Sequence, residues 1–368
     1  MKMNKVVISG YYGFDNLGDE AILLTLINQL KKINPKLTIT VLSARPDITA
    51  SRYDVDAIVR TDIPSIISVI KSCDLFISGG GSLLQDVTGL KSIPYYLSFV
   101  YLAQLFNKKT VFYGQGIGPV NNKFYQQLIK HAATKAEWVS VRDNKSYDLL
   151  KQWGVAQNKL FLSIDPVLSL TENDLASINS DQKKQTKAKK PLIGISVRPW
   201  QNENYLQPLS EAINQLGEQI QAEFVIIPLY PQQDVPTAEK LAALLNSPVK
   251  IVKKTKSPLE MISFFSKLDF LIGVRLHSLI FAACNQIPFF ALSYDPKVTS
   301  FVSSLNHSEY VSLNKPLSVE KTKQKLNDSW QNKAKLKQEL QSKQKIWKKE
   351  SKKNYLLLRD VLKGESDG

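Results

Sequence analysis

Short apolar runs alternate along this chain with longer stretches whose apolar positions recur every three or four residues. The first pattern predicts buried strands, the second amphipathic helices. "KVVISGYYG", from Lys5, reads as a strand running into a loop. "DEAILLTLINQLKKIN" reads as a helix with Ile22, Leu23, Leu26, Ile27 and Leu30 on one face. "LTITVLSA" is a strand, "IPSIISVIKSC" a helix, and "DLFISGGG" a strand that enters a glycine turn. "IPYYLSFVYLAQLFN" is a helix, "KTVFYGQGIGPV" a strand and loop, and "NKFYQQLIKHAATKA" a helix. "EWVSVRD" is a strand, "NKSYDLLKQWG" a helix ending at Gly154, and "LFLSIDPVLSL" closes this half.

The pattern then breaks at "NSDQKKQTKAKK", which is polar apart from one alanine and is the best linker candidate. It resumes with "PLIGISVRPW" as a strand, "LQPLSEAINQLGEQIQ" as a helix and "EFVIIPLY" as a strand. "TAEKLAALLN" is a helix, "VKIVKK" a strand and "SPLEMISFFSKL" a helix. "DFLIGVRLHS" runs from strand to turn, "LIFAACNQ" is a helix, and "IPFFALSYDPK" is a strand and loop.

Strands that alternate with helices predict parallel sheets joined by right-handed crossovers. The expected fold is α/β, with two Rossmann-like, doubly wound domains facing a cleft. The expected domains are residues 1–178 and 191–320, joined by a linker at 179–190 and followed by a lysine-rich helical tail at 321–368. Ligands in this architecture bind at the carboxyl ends of strands, so the cleft is the expected site.

Composition narrows the class. Of the 368 residues, 43% are hydrophobic and 22% charged, as in an ordinary soluble globular protein. Cys73 and Cys284 are too few for a four-thiolate zinc site and read as reduced core thiols. "NKVVISG" reads as a first strand rather than a secretory signal, so a cytoplasmic setting is expected. No stretch approaches the ~20 apolar residues of a spanning helix. The net charge of +15 is concentrated between Lys321 and Lys363. That segment is either a solvated helix face or a contact for an anionic membrane or polyanion. Nothing in the chain resembles an RNA-binding motif, a zinc finger or a helix-turn-helix, so nucleic acid is not expected.

The candidate chemistry lies where strands give way to helices. In "GYYGFDNLGDEAIL" the glycines do not have dinucleotide-binding spacing. Asn16 or Asp19 could cap the following helix, and Asp15, Asn16, Asp19 and Glu20 together suit hydroxyl binding or proton abstraction. In "FISGGGSLLQD", Gly79, Gly80, Gly81 and Ser82 form either a tight turn or a crest that a ligand approaches closely. "YGQGIGPV" repeats the pattern, with Gln115 and Gly116 on the crest. Arg142, in "SVRD", suits a carboxylate or phosphate, or else a salt bridge to Asp143 or another acid. "GVRLHSLIFAA" puts Arg275 and His277 at a strand end, and "ALSYDPKV" adds Asp295 and Lys297. Arg142, Arg275, His277 and Lys297 are expected to converge on a small, highly charged anion.

Taken in order, "GYYGFDNLGDEAIL", "FISGGGSLLQD", "YGQGIGP", "SVRD" and "GVRLHSLIFA" resemble the polysaccharide pyruvyl transferase family, and most closely its CsaB-like members of bacterial cell-wall synthesis. The resemblance runs from Gly10 to about Lys297 and does not reach the lysine-rich tail. It implies a GT-B-like fold, phosphoenolpyruvate as donor, and a pyruvate ketal on a sugar as product. For CsaB-like members it implies a lipid-diphosphate-linked acceptor of the ManNAc–GlcNAc type, pyruvylated at N-acetylmannosamine. It further implies that the product is the ligand of S-layer homology domains and is made at the inner face of the cell membrane. It also implies donor-binding or catalytic roles for Arg142, His277 and Lys297, with Arg275 in the same motif. His277 is the expected acid at C3 or the expected donor to the leaving phosphate, and Asp19 is the expected group on the acceptor side. No cofactor and no metal are expected. The rival expectations are a GT-B glycosyltransferase using a nucleotide sugar and a non-catalytic, membrane-associated binding protein of the same fold.

Overall fold

The computed structural model of the protein describes residues 3–87, 89, 91–170, 190–253, 257–305 and 310–364, so all but the last residue of the expected linker lies outside the described residues. The chain forms two compact units. The first comprises Met1–Phe14, Asp19–Ser169 and Trp347–Gly368, and the second Asp15–Gly18 and Leu170–Ile346.

The first unit runs β1 (Lys5–Ser9), α1 (Leu17–Ile33), β2 (Thr38–Ser43), α2 (Pro46–Tyr53), β3 (Asp56–Val59), α3 (Ile63–Ser72), β4 (Leu75–Ser78) and β5 (Gly81–Leu84). It continues with α4 (Ser92–Leu105), β6 (Lys109–Ile117), α5 (Lys123–Lys135), β7 (Trp138–Val141), α6 (Asn144–Gln152) and β8 (Leu160–Leu162). All strand pairs are parallel, in the order β3-β2-β1-β4-β6-β7-β8, with β5 on β6.

Alternate strand residues feed two cores. Val7, Phe76, Phe112 and Val139 pack with Ile129 and Ala132 of α5 and Leu150 of α6. Val6, Ile8, Ile77 and Val111 pack on the other face with Leu23, Leu26 and Leu30 of α1. This is the period-2 signature of a sheet buried on both faces. The stretch "IPYYLSFVYLAQL" lies within α4, where Ile93, Leu97, Val100 and Ala103 are buried against the first core.

The second unit runs β9 (Leu192–Ser196), α7 (Leu206–Ile220), β10 (Glu223–Ile226), α8 (Pro231–Ala243), β11 (Lys250–Ile251), α9 (Pro258–Phe265) and β12 (Phe270–Gly273). Then come α10 (Leu276–Cys284), β13 (Phe289–Ser293), α11 (Pro296–Ser304), β14 (Tyr310–Ser312), α12 (Val319–Gln331) and α13 (Lys333–Lys363), the last of which belongs to the first unit from Trp347 onward. The strand order is β11-β10-β9-β12-β13-β14, again all parallel. Both units are therefore doubly wound α/β, as the alternation predicts.

Several boundaries move. Helix α8 begins at Pro231 and contains Pro236, although a proline at that point reads as a helix start. Helix α10 begins at Leu276, so His277 and Ser278 occupy its first turn rather than a preceding loop. Strand β5 is an extra strand directly after the glycine run, bridging Gly81 to Gln115 and Leu84 to Ile117. The lysine-rich stretch from 321 is shared between the units. Trp330 of α12 packs edge-to-face on Phe270 at 5.6 Å, in the second unit. In the first unit Leu358, Val361 and Leu362 of α13 join the core of Met3 and Val6, and Met3 N–H donates to the Leu362 carbonyl at 3.1 Å. Cys73 and Cys284 are free and buried, and burial pushes the Cys73 thiol up to about 11.

Candidate functional site

In open parallel sheets the ligand position is the carboxyl end of the strands on either side of the point where strand order reverses. In the second unit that point lies between β9 and β12. Arg198 follows β9, Arg275 and His277 follow β12, and Tyr294, Asp295 and Lys297 follow the neighbouring β13. Three of these six, Arg275, His277 and Lys297, are sequence-predicted site residues, and the unit brings them onto adjacent strand ends.

Each is held differently. Arg275 makes a two-pronged pair with Asp234: Nε donates to Oδ2 at 2.6 Å and Nη2 to Oδ1 at 2.5 Å. Asp234 is fully buried and also accepts from the Leu229 and Tyr230 backbone N–H groups at 3.2 and 2.9 Å. Arg275 is thereby fixed in orientation and also ties the β10–α8 turn to the β12–α10 turn. His277 is half-buried, 6.3 Å from the ring centre of Phe281 one turn along α10. Gly18, from the short Asp15–Gly18 segment of this unit, packs so closely that a Cβ there would collide with His277 Nδ1. The same segment is anchored by Leu17 N–H donating to the Leu229 carbonyl at 2.9 Å. Gly273 also has a packing reason. A Cβ there would meet Leu279 at 2.6 Å and Ser278 at 2.8 Å, so it makes room for α10 itself rather than for a ligand.

Lys297 lies in the first turn of α11, whose N-cap Asp295 accepts from its backbone N–H at 2.9 Å. Its ammonium is 3.4 Å from Asp295 Oδ2 and 5.9 Å from the Tyr294 ring centre. Arg198 donates to the Tyr294 hydroxyl at 2.6 Å and stands over its ring at 4.4 Å. Burial alone would raise the Tyr294 phenol, but Lys297, Arg198 and Arg275 together pull it below its ordinary value. Three cations are thus gathered at this strand end, two of them, Arg275 and Lys297, beside the carboxylates of Asp234 and Asp295. Two buried donors lie beside it without a hydrogen-bond partner among the described residues, Ser196 Oγ at the end of β9 and Trp200 Nε1 beyond it. Trp200 packs 5.0 Å from Tyr294. Buried donors of this kind call for an acceptor.

In the first unit strand order reverses between β1 and β4. The loop after β1 is pinned by Glu20, which accepts from Gly13 N–H at 2.7 Å and from the Tyr53 hydroxyl at 2.6 Å. Glu20 is fully buried and serves the fold. Asn16, not Asp19, caps α1, its Oδ1 accepting from Gly18 N–H at 3.3 Å. Gly81 has φ +107°, which calls for glycine, and a Cβ on it would lie 2.8 Å from Asp19 Oδ1 and displace that carboxylate. Arg142 donates to Asp165 Oδ2 at 2.5 Å and to Ser82 Oγ at 2.9 Å, and a Cβ on Gly116 would press on its Nε at 3.0 Å. Of the two expected uses of Arg142, the ion pair is present, with Asp165 rather than Asp143 as partner. Asp143 instead caps α6, accepting from Ser146 N–H at 2.9 Å. Gln115 is fully buried and donates to Ser78 Oγ at 2.7 Å and to the Gly79 carbonyl at 3.0 Å, so it locks the crest from beneath. Asp19, Gly80, Gly81, Ser82, Gln115, Gly116 and Arg142 thus form one cluster in this unit.

The sequence profile of one family matches this chain over residues 16–296, which takes in both glycine crests, Arg142 and the Arg275–His277 turn. The chain belongs to the polysaccharide pyruvyl transferase family. Among solved structures, this pyruvyl transferase family member is similar to a putative UDP-N-acetylglucosamine 2-epimerase from Listeria monocytogenes, with TM-score 0.69 and 13% identity over 100% of this chain and 98% of that one. It is similar to the UDP-GlcNAc 2-epimerase from Neisseria meningitidis bound to UDP-GlcNAc, with TM-score 0.65 and 13% identity over 96% and 99% of the two chains. It is also similar to HepE from Anabaena in complex with UDP-glucose, with TM-score 0.61 and 12% identity over 98% and 99%. At such identities the likeness is one of fold, and the fold is GT-B-like.

Proposed function

We propose that this family member transfers pyruvate from phosphoenolpyruvate onto a sugar as a 4,6-ketal. The observation that carries the reading is the cluster of Arg198, Arg275 and Lys297 around Tyr294, with His277 in the adjoining helix turn. Phosphoenolpyruvate presents a carboxylate and a phosphate on a three-carbon frame. Fixed cations on adjacent strand ends suit such a ligand, and a guanidinium already oriented by a carboxylate costs little to organise.

In this reading Arg198 and Lys297 hold the donor's anionic groups, and Arg275 sets the local field. His277 delivers the proton. Protonation of C3 makes C2 electrophilic. A sugar hydroxyl attacks C2, phosphate leaves, and the second hydroxyl closes the ketal. Each hydroxyl loses one proton: one replaces that given to C3, and the other leaves with the phosphate. Asp19 is assigned to the acceptor hydroxyls. Arg142 is assigned to shaping the crest of Gly81, Ser82 and Gly116. The acceptor is taken to be N-acetylmannosamine in a lipid-diphosphate-linked cell-wall precursor, which would make the product a ligand for S-layer homology domains.

The test is phosphate release. Phosphate should appear from phosphoenolpyruvate only when acceptor is present, and His277→Gln should abolish it in a folded protein. UDP release from a UDP-sugar, with no phosphate from phosphoenolpyruvate, would replace the reading with that of a glycosyltransferase.

A further inference from the structure

Helix α13 carries eleven basic and three acidic residues, and their distribution is not uniform. In its part from Trp347 to Lys363, which belongs to the first unit, Trp347, Asn354, Leu358, Val361 and Leu362 are buried. At 3.6 residues per turn, Lys348, Lys349, Lys352, Leu356, Arg359 and Lys363 fall on the opposite side, within an arc of about 100° and a length of about 22 Å. The four lysines are exposed, and Leu356, on the same stripe, is 40% exposed. The carboxylates of this part are engaged beside the stripe. Glu350 pairs with Lys353 at 2.5 Å, and Asp360 pairs with Arg359 at 2.8 Å. Leu336, Leu340 and Trp347, apolar residues that the sequence places among these lysines, are buried in the protein. They cannot enter a bilayer, so the attraction of the stripe is electrostatic, with Leu356 as its apolar contact; Ile346, 52% exposed, lies off the stripe.

We infer that this face of α13 docks the protein on an anionic membrane surface. A flat array of phosphate headgroups meets every lysine of a straight helix at once, and the acyl boundary accepts Leu356. A nucleic-acid backbone would use the charges but gives that leucine no partner. No helix among the described residues is long and apolar enough to cross a membrane, so contact is peripheral. The inference stands apart from the donor chemistry, and its readout is binding alone.

The experiment is co-sedimentation of the full chain with vesicles of phosphatidylcholine, with and without phosphatidylglycerol. Binding is expected only to the phosphatidylglycerol vesicles and is expected to be released by high salt. The triple variant Lys348→Gln, Lys349→Gln, Lys352→Gln should lower partitioning about a hundredfold. The control triple Lys123→Gln, Lys135→Gln, Lys151→Gln carries the same charge change on exposed positions of α5 and α6, which cover the other face of the sheet. It should bind nearly as wild type. Equal binding to neutral vesicles, equal loss in both triples, or retention of duplex DNA without vesicle binding would overturn the inference.

Discussion

Arg198 reaches across from the end of β9 to donate to the Tyr294 hydroxyl at 2.6 Å, with its guanidinium carbon 4.4 Å from the ring centre. The two strands are not neighbours, because β12 lies between β9 and β13. The bond therefore spans the strand end that also carries Arg275. If Arg198 binds donor, Arg198→Ala should lower kcat/KM for phosphoenolpyruvate by about 10- to 100-fold, the range of a charge-assisted hydrogen bond. Arg198→Lys should recover only part, because one ammonium cannot hold both Tyr294 and a ligand. Steady-state phosphate release checks this.

Tyr294 gives a pH signature. Three cations favour its phenolate against the opposing effect of burial, so its folded pKa lies below that of free tyrosine. The sign follows: the folded state releases this proton first, so the stabilising contribution is absent below the folded pKa. It grows as pH rises from there toward the free-tyrosine value near 10. Alkaline titration of the phenolate absorbance should show one early tyrosine in the wild type, absent in Tyr294→Phe. Identical titration curves for the two proteins would contradict the cation cluster.

Arg142 offers a discrimination between two roles. Its side chain and that of Asp165 are each 5% exposed and paired at 2.5 Å. Breaking such a buried pair from either side costs about 3–5 kcal/mol. Arg142→Ala and Asp165→Ala should each lower Tm sharply, and the double variant should cost less than the sum of the two. An unchanged Tm with a raised phosphoenolpyruvate KM would assign Arg142 to the donor instead. Thermal unfolding beside donor kinetics separates the two.

Gly18→Ala isolates the setting of His277. Alanine favours helix over glycine by about 1 kcal/mol, and Gly18 lies in the first turn of α1. Its Cβ would nevertheless collide with His277 Nδ1. The expectation is a folded protein with strongly reduced kcat. Wild-type kcat would show that the placement of His277 does not matter to the chemistry.

Much of this was legible along the chain. Short apolar runs between stretches of helical period gave both parallel sheets, because these strands bury both faces and the helices one. Arg142, Arg275, His277 and Lys297 stand out because charge at a strand end is costly unless used. Arg198 has the same signal, since a Val-Arg pair stands at a strand end at Val141–Arg142, Val197–Arg198 and Val274–Arg275. It is masked where "PLIGISVRPW" reads as uninterrupted strand. Asp165 and Asp234 carry no local signal. They lie 23 and 41 residues from the arginines they bind, and only strand order brings them together. The start of α8 is hidden by Pro236, whose presence inside a helix is an exception to proline's usual place in the first turn.

The central claim is the transfer itself. The most direct measurement incubates the protein with phosphoenolpyruvate and a synthetic diphosphate-linked ManNAc–GlcNAc acceptor, and follows product mass and released phosphate together. One phosphate is expected per acceptor modified, with a product heavier by pyruvate less one water, as a ketal requires. An unmodified acceptor with phosphoenolpyruvate untouched, under conditions where the protein releases UDP from a UDP-sugar, would contradict it.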